Sequence, residues 1–132
     1  MITISTDKSK LQVAVIHQFL TNSYWAKGRT ITQVQTTIDN CLCVGLYKDD
    51  AQIGFGRIAT DYAVFAYLMD LFILPEHQGE GYSKQLMEAI VHAKELKDCK
   101  NWMLKTFDAH GLYKQFGFTA LKNSTIVMER NL

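Results

Sequence analysis

The segment from residue 65 to residue 107 constrains the fold of this chain more than any other. The apolar run "FAYLMDLFIL" (65–74) predicts a strand that ends at Pro75, the only proline in the sequence, because proline cannot donate to a ladder. Apolar residues then recur at helical spacing into "KELKD", at Tyr82, Leu86, Ala89, Ile90, Ala93 and Leu96. A second strand is predicted in "NWMLKTF" (101–107). A strand, helix, strand unit of this kind is right-handed, and its two strands are parallel.

The remaining segments predict strands and helices that surround this unit. They are two helices at 8–22 and 30–39, strands in "CLCVGLY" (41–47) and "IGFGRIAT" (53–60), a short helix in "AHGLYKQF" (109–116) and a last strand in "STIVMER" (124–130). The two strands on either side of "KDDAQ" form an antiparallel hairpin. We therefore expect an α/β protein with a mixed sheet, helices on both faces, and a single domain over residues 1–132.

Composition and charge argue against several classes of partner. A chain of 132 residues with 48% apolar residues can bury one core. Its net charge is +1, from 14 basic and 13 acidic side chains without a basic block, which argues against nucleic acid and against a membrane surface as partners. No apolar run resembles a signal peptide or approaches the roughly 18 residues of a spanning helix. The expected location is the cytoplasm.

The cysteines predict no metal site. Cys41 and Cys43 lie two residues apart in an apolar run, and Cys99 follows the helix that starts near residue 82. No second cysteine or histidine pair stands at the spacing that zinc ligands require. We expect three buried, reduced thiols and no metal.

Two glycines, Gly79 and Gly81, lie where the central helix begins, although glycine weakens helices. The first N–H groups of a helix lack internal partners and attract anions, and glycine lets a bulky phosphate reach them. A P-loop is excluded because GxxxxGK[ST] is absent, and a dinucleotide-binding turn is excluded because Lys84 occupies the third glycine position. A phosphate site and a plain strand-to-helix turn both remain open on these residues alone.

Two motifs together indicate a family. The run from Gln78 to Ser83, "QGEGYS", resembles the Q/R-x-x-G-x-G/A signature of the GNAT N-acetyltransferases, with Ser83 in place of the usual glycine or alanine. The run "LYKQFGF" (112–118) resembles the short tyrosine helix followed by Gly-Phe in the same family. The resemblance implies the GNAT fold, with a mixed, mostly antiparallel sheet of about six to seven strands.

The resemblance also implies acetyl-CoA as the co-substrate. The pyrophosphate would lie on the backbone of the glycine turn, at Gln78, Gly79, Glu80, Gly81, Tyr82, Ser83 and Lys84. The main chain of Leu71, Phe72 and Ile73 would meet the pantetheine arm and the thioester, and an N–H near Leu71 would polarise the acetyl carbonyl. Asp108 stands where relatives often carry an asparagine that helps to hold the cofactor, and it also suits a helix N-cap.

Tyr113 matches the tyrosine that protonates the departing thiolate in many members of the family. The glutamate that often acts as the general base in the family is replaced here by Tyr67. Asp70 is a candidate base on the same strand, although strand alternation directs it to the face opposite Tyr67 unless a bulge intervenes. Asp61, Tyr62 or bulk water are the alternatives.

His110 is a further candidate for proton transfer, because it lies close to Tyr113 in the sequence; a surface histidine without function is the more common case.

The family resemblance places the acceptor site at the link between the first two helices, "TNSYWAKGRT" (21–30). Tyr24 and Trp25 would line an apolar pocket, and Arg29 would bind a substrate carboxylate or phosphate. Trp25 packed beneath the helices is the structural alternative.

The favoured function is acetyl transfer from acetyl-CoA to the amine of a small molecule or amino-acid-like metabolite. A non-catalytic acyl-CoA-binding module and a protein acetyltransferase acting on an N-terminus or a lysine are the alternatives. Dimers are frequent in the family, so a homodimer is an expectation as well.

Overall fold

A computed structural model describes residues 1–132. The strands are β1 (Ile2–Ser5), β2 (Leu42–Lys48), β3 (Ala51–Thr60), β4 (Phe65–Ile73) and β5 (Asn101–Leu104), and the helices are α1 (Val13–Thr21), α2 (Ile31–Asn40), α3 (Tyr82–Val91) and α4 (His110–Lys114). Short 3₁₀ turns occupy Lys8–Lys10, Pro75–His77, Lys94–Leu96 and Ser124–Ile126.

The five strands form one sheet in the order β1-β2-β3-β4-β5. The first three pairs are antiparallel, and β5 joins β4 in parallel after the crossover through α3. The predicted hairpin and the predicted parallel unit are therefore confirmed. The expectation of six to seven strands is wrong, because the sheet has five.

The last predicted strand, 124–130, accounts for part of this difference. The segment contains only the turn Ser124–Ile126, and Ile126 and Met128 are 76% and 92% exposed. Its β-branched residues favour an extended backbone, but a strand also needs a partner edge, and this segment has none in the sheet. Conversely, β1 was not predicted; its alternating Ile2 and Ile4 are the signal that could have indicated it.

Two helix boundaries also differ from the predictions. The first helix begins at Val13 instead of residue 8, because the chain makes a separate 3₁₀ turn capped by the Asp7 side chain before it. The central helix ends at Val91, and extended backbone at Ala93 interrupts it before the turn that buries Leu96. The apolar stripe therefore continues past the end of the helix.

Both faces of the sheet are covered, as predicted. On one face α3 packs over a cluster centred on Leu46, Ile58, Leu86 and Ile90. On the other face α1 and α2 enclose a second cluster that contains Phe55 and Phe72. Cys41, Cys43 and Cys99 are buried and free, which confirms the prediction for the thiols. None of the helices combines the length and apolar character needed to cross a bilayer.

Candidate active site

The sheet opens between β4 and β5. The two strands are paired from Phe65 and Asn101 up to Leu68 and Leu104, where β5 ends. Strand β4 continues for five more residues, 69–73, without a strand partner on that side. A cleft of about 560 Å³ lies at this opening. Backbone groups at a free strand edge can pair with an extended ligand.

A β-bulge lies in β4 at the opening. Met69 pairs with Arg57 and Phe72 pairs with Phe55, so Asp70 and Leu71 together face a single residue of β3. Asp70 has a left-handed backbone, with φ of 55°. After the bulge Leu71 packs on the α3 side while Asp70 lies on the other side. The bulge therefore places Tyr67 and Asp70 on the same cleft, which strand alternation alone would have prevented.

Asp70 is held by three donors. One oxygen accepts from the Trp25 indole at 2.9 Å, and the other accepts from Arg29 Nη1 at 2.7 Å and from Arg57 Nε at 2.9 Å. The Asp70 side chain is only 2% exposed. A carboxylate engaged in this way is a poor acceptor for a substrate proton, because protonation would break its charge-assisted bonds. The geometry favours an anchoring role for Asp70 over the predicted role as a base.

Arg57 was missed in the sequence analysis. It is 7% exposed, and its other nitrogens lie 3.4 Å from Cys41 Sγ and 3.6 Å from Met69 Sδ. Burial lowers the pKa of its guanidinium, but Asp70 and the bond to Cys41 outweigh that cost, so the pKa lies above its ordinary value. The signal was present in "IGFGRIAT", since a charge inside a buried strand requires a charged partner.

Tyr113 lines the same cleft from α4. Burial raises the pKa of its phenol to about 12, with smaller contributions from Tyr24 and Asp108. Tyr113 therefore keeps its proton throughout the neutral range. The ring packs edge-on against Phe118, with centroids 6.0 Å apart, so the "GF" of the second motif supports the tyrosine directly.

Asp108 lies at the cleft but does not cap α4. The N-cap residue is Ala109, which makes no side-chain cap bond, and its N–H donates to the Thr106 hydroxyl at 3.0 Å. The predicted N-cap role is therefore wrong, because α4 begins at His110, which puts Ala109 and not Asp108 at the N-cap position. Asp108 is exposed and lines the cleft beside Lys105.

The glycine turn exposes its backbone. Gly79 and Gly81 have φ of 84° and 82°, and a Cβ at either position would meet nothing within 4 Å. None of the backbone N–H groups of residues 79–84 donates to a protein acceptor. Gln78 Nε2 donates to the Ile73 carbonyl at 2.9 Å, which ties the turn to the end of β4. The turn thus combines free donors, open space and the positive end of the α3 dipole.

The aromatic residues of the predicted acceptor loop lie at the mouth of the cleft. Trp25 is 42% exposed, so it is not packed beneath the helices. Tyr24 meets Trp25 edge-on at 5.2 Å and Phe107 at 6.3 Å. Phe107 was missed in the sequence analysis, where it was assigned to a strand that in fact ends at Leu104. Together the three rings form an apolar rim.

Three other candidates lie outside this cleft. The Asp61 carboxylate accepts from the N–H groups of Ala63 and Val64, and these bonds lower the pKa of Asp61. Asp61 and Tyr62 belong to the turn before β4 and do not line the cleft. His110 lines a neighbouring cavity of about 750 Å³, which shares Tyr113 and Lys105 with the first.

A family model described as acetyltransferase (GNAT) domain matches residues 39–120, which include β2 to β5, the glycine turn and Tyr113. The chain belongs to the GNAT family. The matched range contains both motifs on which the resemblance was based. This GNAT chain has the α/β fold of the family with a five-stranded mixed sheet.

Relatives agree with this membership. A GNAT family protein from Xanthomonas campestris pv. campestris has a crystal structure with a TM-score of 0.96, at 44% identity over 100% of this chain and 94% of that one. A Gibberella zeae protein provisionally named an acetyltransferase is 28% identical over 95% of this chain and 86% of its own. AAC(6')-Iy in complex with the bisubstrate analogue CoA-S-monomethyl-acetylneamine shares the fold, with a TM-score of 0.69, 16% identity, and coverage of 100% and 99%.

Proposed function

We propose that this GNAT protein transfers an acetyl group from acetyl-CoA to the amine of a small, amino-acid-like molecule. The observation that carries the proposal is the run of unpaired backbone N–H groups at residues 79–84, tied through Gln78 to the strand edge that borders the cleft. A pyrophosphate and an extended arm need these two features side by side. The fold neighbour AAC(6')-Iy carries a CoA bisubstrate analogue, which agrees with this reading.

Acetyl-CoA fits the residues present. Gly79, Gly81 and the N–H groups up to Lys84 would hold the pyrophosphate, and the main chain of Leu71, Phe72 and Ile73 would border the arm. When bound, acetyl-CoA supplies the thioester and its acetyl carbon. The N–H of Leu71 would polarise the acetyl carbonyl in a cleft from which the aromatic rim excludes part of the water.

The reaction forms a bond between the amine nitrogen and the acetyl carbon and breaks the bond between that carbon and sulfur. The electron pair of the broken bond goes to sulfur, and the Tyr113 hydroxyl supplies a proton to it. Because the pKa of Tyr113 is about 12, the phenol remains the proton donor at neutral pH. Water takes the proton of the amine and returns a proton to the Tyr113 phenolate, since no uncommitted carboxylate is buried in the cleft.

The charges of the cleft favour an acceptor with an acidic group. Its lining contains three cations, Arg29, Arg57 and Lys105, and two anions, Asp70 and Asp108, which leaves one net positive charge. Arg29 gives only Nη1 to Asp70 and makes no other hydrogen bond. Its remaining donors suit a substrate carboxylate, whereas a polycationic tail would be repelled.

The test is thiol release from acetyl-CoA with a panel of amines. We expect release with amines that carry a carboxylate and a loss of about 100-fold in kcat for Tyr113→Phe. Tyr62→Phe is the matched control, because Tyr62 lies outside the cleft, and its rate should stay unchanged.

One outcome would favour the alternative of an acyl-CoA-binding module. That outcome is tight binding of acetyl-CoA without thiol release for any amine. The presence of Tyr67 in place of the family glutamate would then explain the missing activity. Release with peptide N-termini or lysines alone would favour a protein acetyltransferase.

A further inference from the structure

We propose that Asp70 is a positioning residue whose three bonds, to Trp25, Arg29 and Arg57, hold the β4 bulge and the acceptor loop in one fixed relation. These four residues are called the Asp70 clamp. The inference rests on the proposed function, since the parts it holds are the backbone at Leu71 and the aromatic rim.

The backbone at the bulge needs an external restraint. A non-glycine residue with positive φ is held in a sparsely populated conformation that costs free energy. Asp70 has φ of 55°, whereas an unrestrained chain at this position would relax toward an ordinary strand. Such a relaxation would change which residues face the cleft, because each residue after the bulge would move to the opposite face.

The clamp supplies this restraint through buried charges. The Arg57 guanidinium comes from β3 and is 7% exposed, so its bond to Asp70 joins the bulged strand to its neighbour inside the core. A charged pair with so little water around it is lost only at a high cost, because each partner would be left unpaired in a dry environment. The position of the Asp70 side chain is therefore fixed more firmly than that of an exposed loop residue.

The other two bonds join the bulge to the acceptor loop. Trp25 and Arg29 both lie between α1 and α2, and both donate to Asp70. No other side chain of this loop makes a polar bond to β4. The aromatic rim is consequently placed relative to Leu71 by one carboxylate, so a disturbance on either side of the cleft is transmitted to the other.

The first test uses two changes at Asp70. In Asp70→Asn the backbone preference is retained, since asparagine also tolerates a left-handed conformation. Its amide NH2, however, must face either Trp25 or the two arginines, and all three are donors. In Asp70→Gly the strain is removed together with the clamp. We expect kcat with the best amine of the panel to fall by about 100-fold in both, because small displacements of reacting groups are costly. The Kd of acetyl-CoA should change by less than about 3-fold.

Arg29→Gln is the second variant, and it keeps the fold because the Arg57–Asp70 pair remains. Its readout is Trp25 fluorescence in a Trp102→Phe background, where Trp25 is the only tryptophan. We expect a red-shifted emission and a lower anisotropy than in the Trp102→Phe parent, since the loop loses one of its two bonds to Asp70. Ile16→Val is the matched control, because it shortens a fully buried side chain of the second cluster, on α1, and Ile16 makes no bond to any of the four clamp residues.

The outcomes separate this inference from the function on which it rests. Wild-type kcat in folded Asp70→Asn and Asp70→Gly, or unchanged Trp25 emission in Arg29→Gln, would overturn the clamp. An equal loss of kcat in Ile16→Val would mean that the losses at Asp70 reflect general core stability and not the clamp. If the wild-type protein does not bind acetyl-CoA, the proposed function fails, while the Trp25 measurement still decides whether the clamp orders the loop.

Discussion

The hydroxyl of Tyr47 lies in the core without a hydrogen-bond partner. Tyr47 is 4% exposed, and its ring lies over Gly45, where any Cβ would overlap it. A buried hydroxyl that makes no bond carries a desolvation cost without compensation. We expect Tyr47→Phe to stabilise the fold by about 1 kcal/mol, measured as the free energy of unfolding in urea.

A matched change distinguishes this cause from a general effect of losing a hydroxyl. Tyr24 is 68% exposed, so Tyr24→Phe should leave the unfolding free energy unchanged. If Tyr47→Phe destabilised the protein instead, the hydroxyl would have to make a hydrogen bond in solution, which would contradict the unpaired hydroxyl described above.

At the scale of elements, the start of α3 joins backbone conformation to anion binding. Gly81 is the N-cap with φ of 82° and has open space around it. Gly81→Ala should therefore cost about 1 kcal/mol in stability from the left-handed backbone. It should also weaken CoA binding about 10-fold, because the turn either relaxes or presents a methyl group beside the pyrophosphate. Isothermal titration with CoA measures the second effect.

Gly28 provides the control for this prediction. It has φ of 81° and equally open space, but it lies in the loop before α2, away from the turn. Gly28→Ala should show the same loss of stability and unchanged CoA affinity. If both variants lower the CoA affinity equally, the loss comes from backbone strain in the fold and not from the α3 turn.

The elements that the sequence predicted well are those whose signals are local. The apolar stripe from Tyr82 to Ile90 depends only on spacing within one helix, and the structure has a helix there. The bulge at Asp70 depends on the register between β3 and β4, which no local pattern in β4 reports. The strand prediction for 124–130 was wrong for a related reason: a strand needs a neighbouring strand to pair with as well as residues that favour an extended backbone.

The candidate site also combines features that local sequence motifs predict with features that depend on contacts between distant residues. The glycine turn and the Tyr113 helix could be recognised as motifs, because each consists of a few residues that are close together in the sequence. The Asp70 clamp was not visible, since it joins residues from the α1–α2 loop, β3 and β4. Arg29 was predicted only to bind substrate. In the structure one of its guanidinium nitrogens is already bonded to Asp70.

At the scale of the whole molecule, two buried groups and the partly buried Tyr113 make stability sensitive to alkali. Burial raises the pKa of Cys43, Tyr47 and Tyr113 to about 12 each, from ordinary values of 9.0 for the thiol and 10.0 for the phenols. In this range the unfolded chain has already lost protons that the folded chain still holds. Stability is therefore fully present below about pH 9 and falls as pH rises toward 12.

Urea unfolding at a series of pH values measures this loss. We expect a constant midpoint up to about pH 8.5 and a steady decline above it, with the slope set by the number of groups that titrate only after unfolding. The double variant Cys43→Ala/Tyr47→Phe removes two of the three groups, so its midpoint should fall less steeply over the same range. A midpoint that stays constant to pH 11 in the wild type would contradict the burial of these groups. Equal slopes in the two proteins would assign the decline to other residues, because the removed thiol and phenol would then contribute nothing to it.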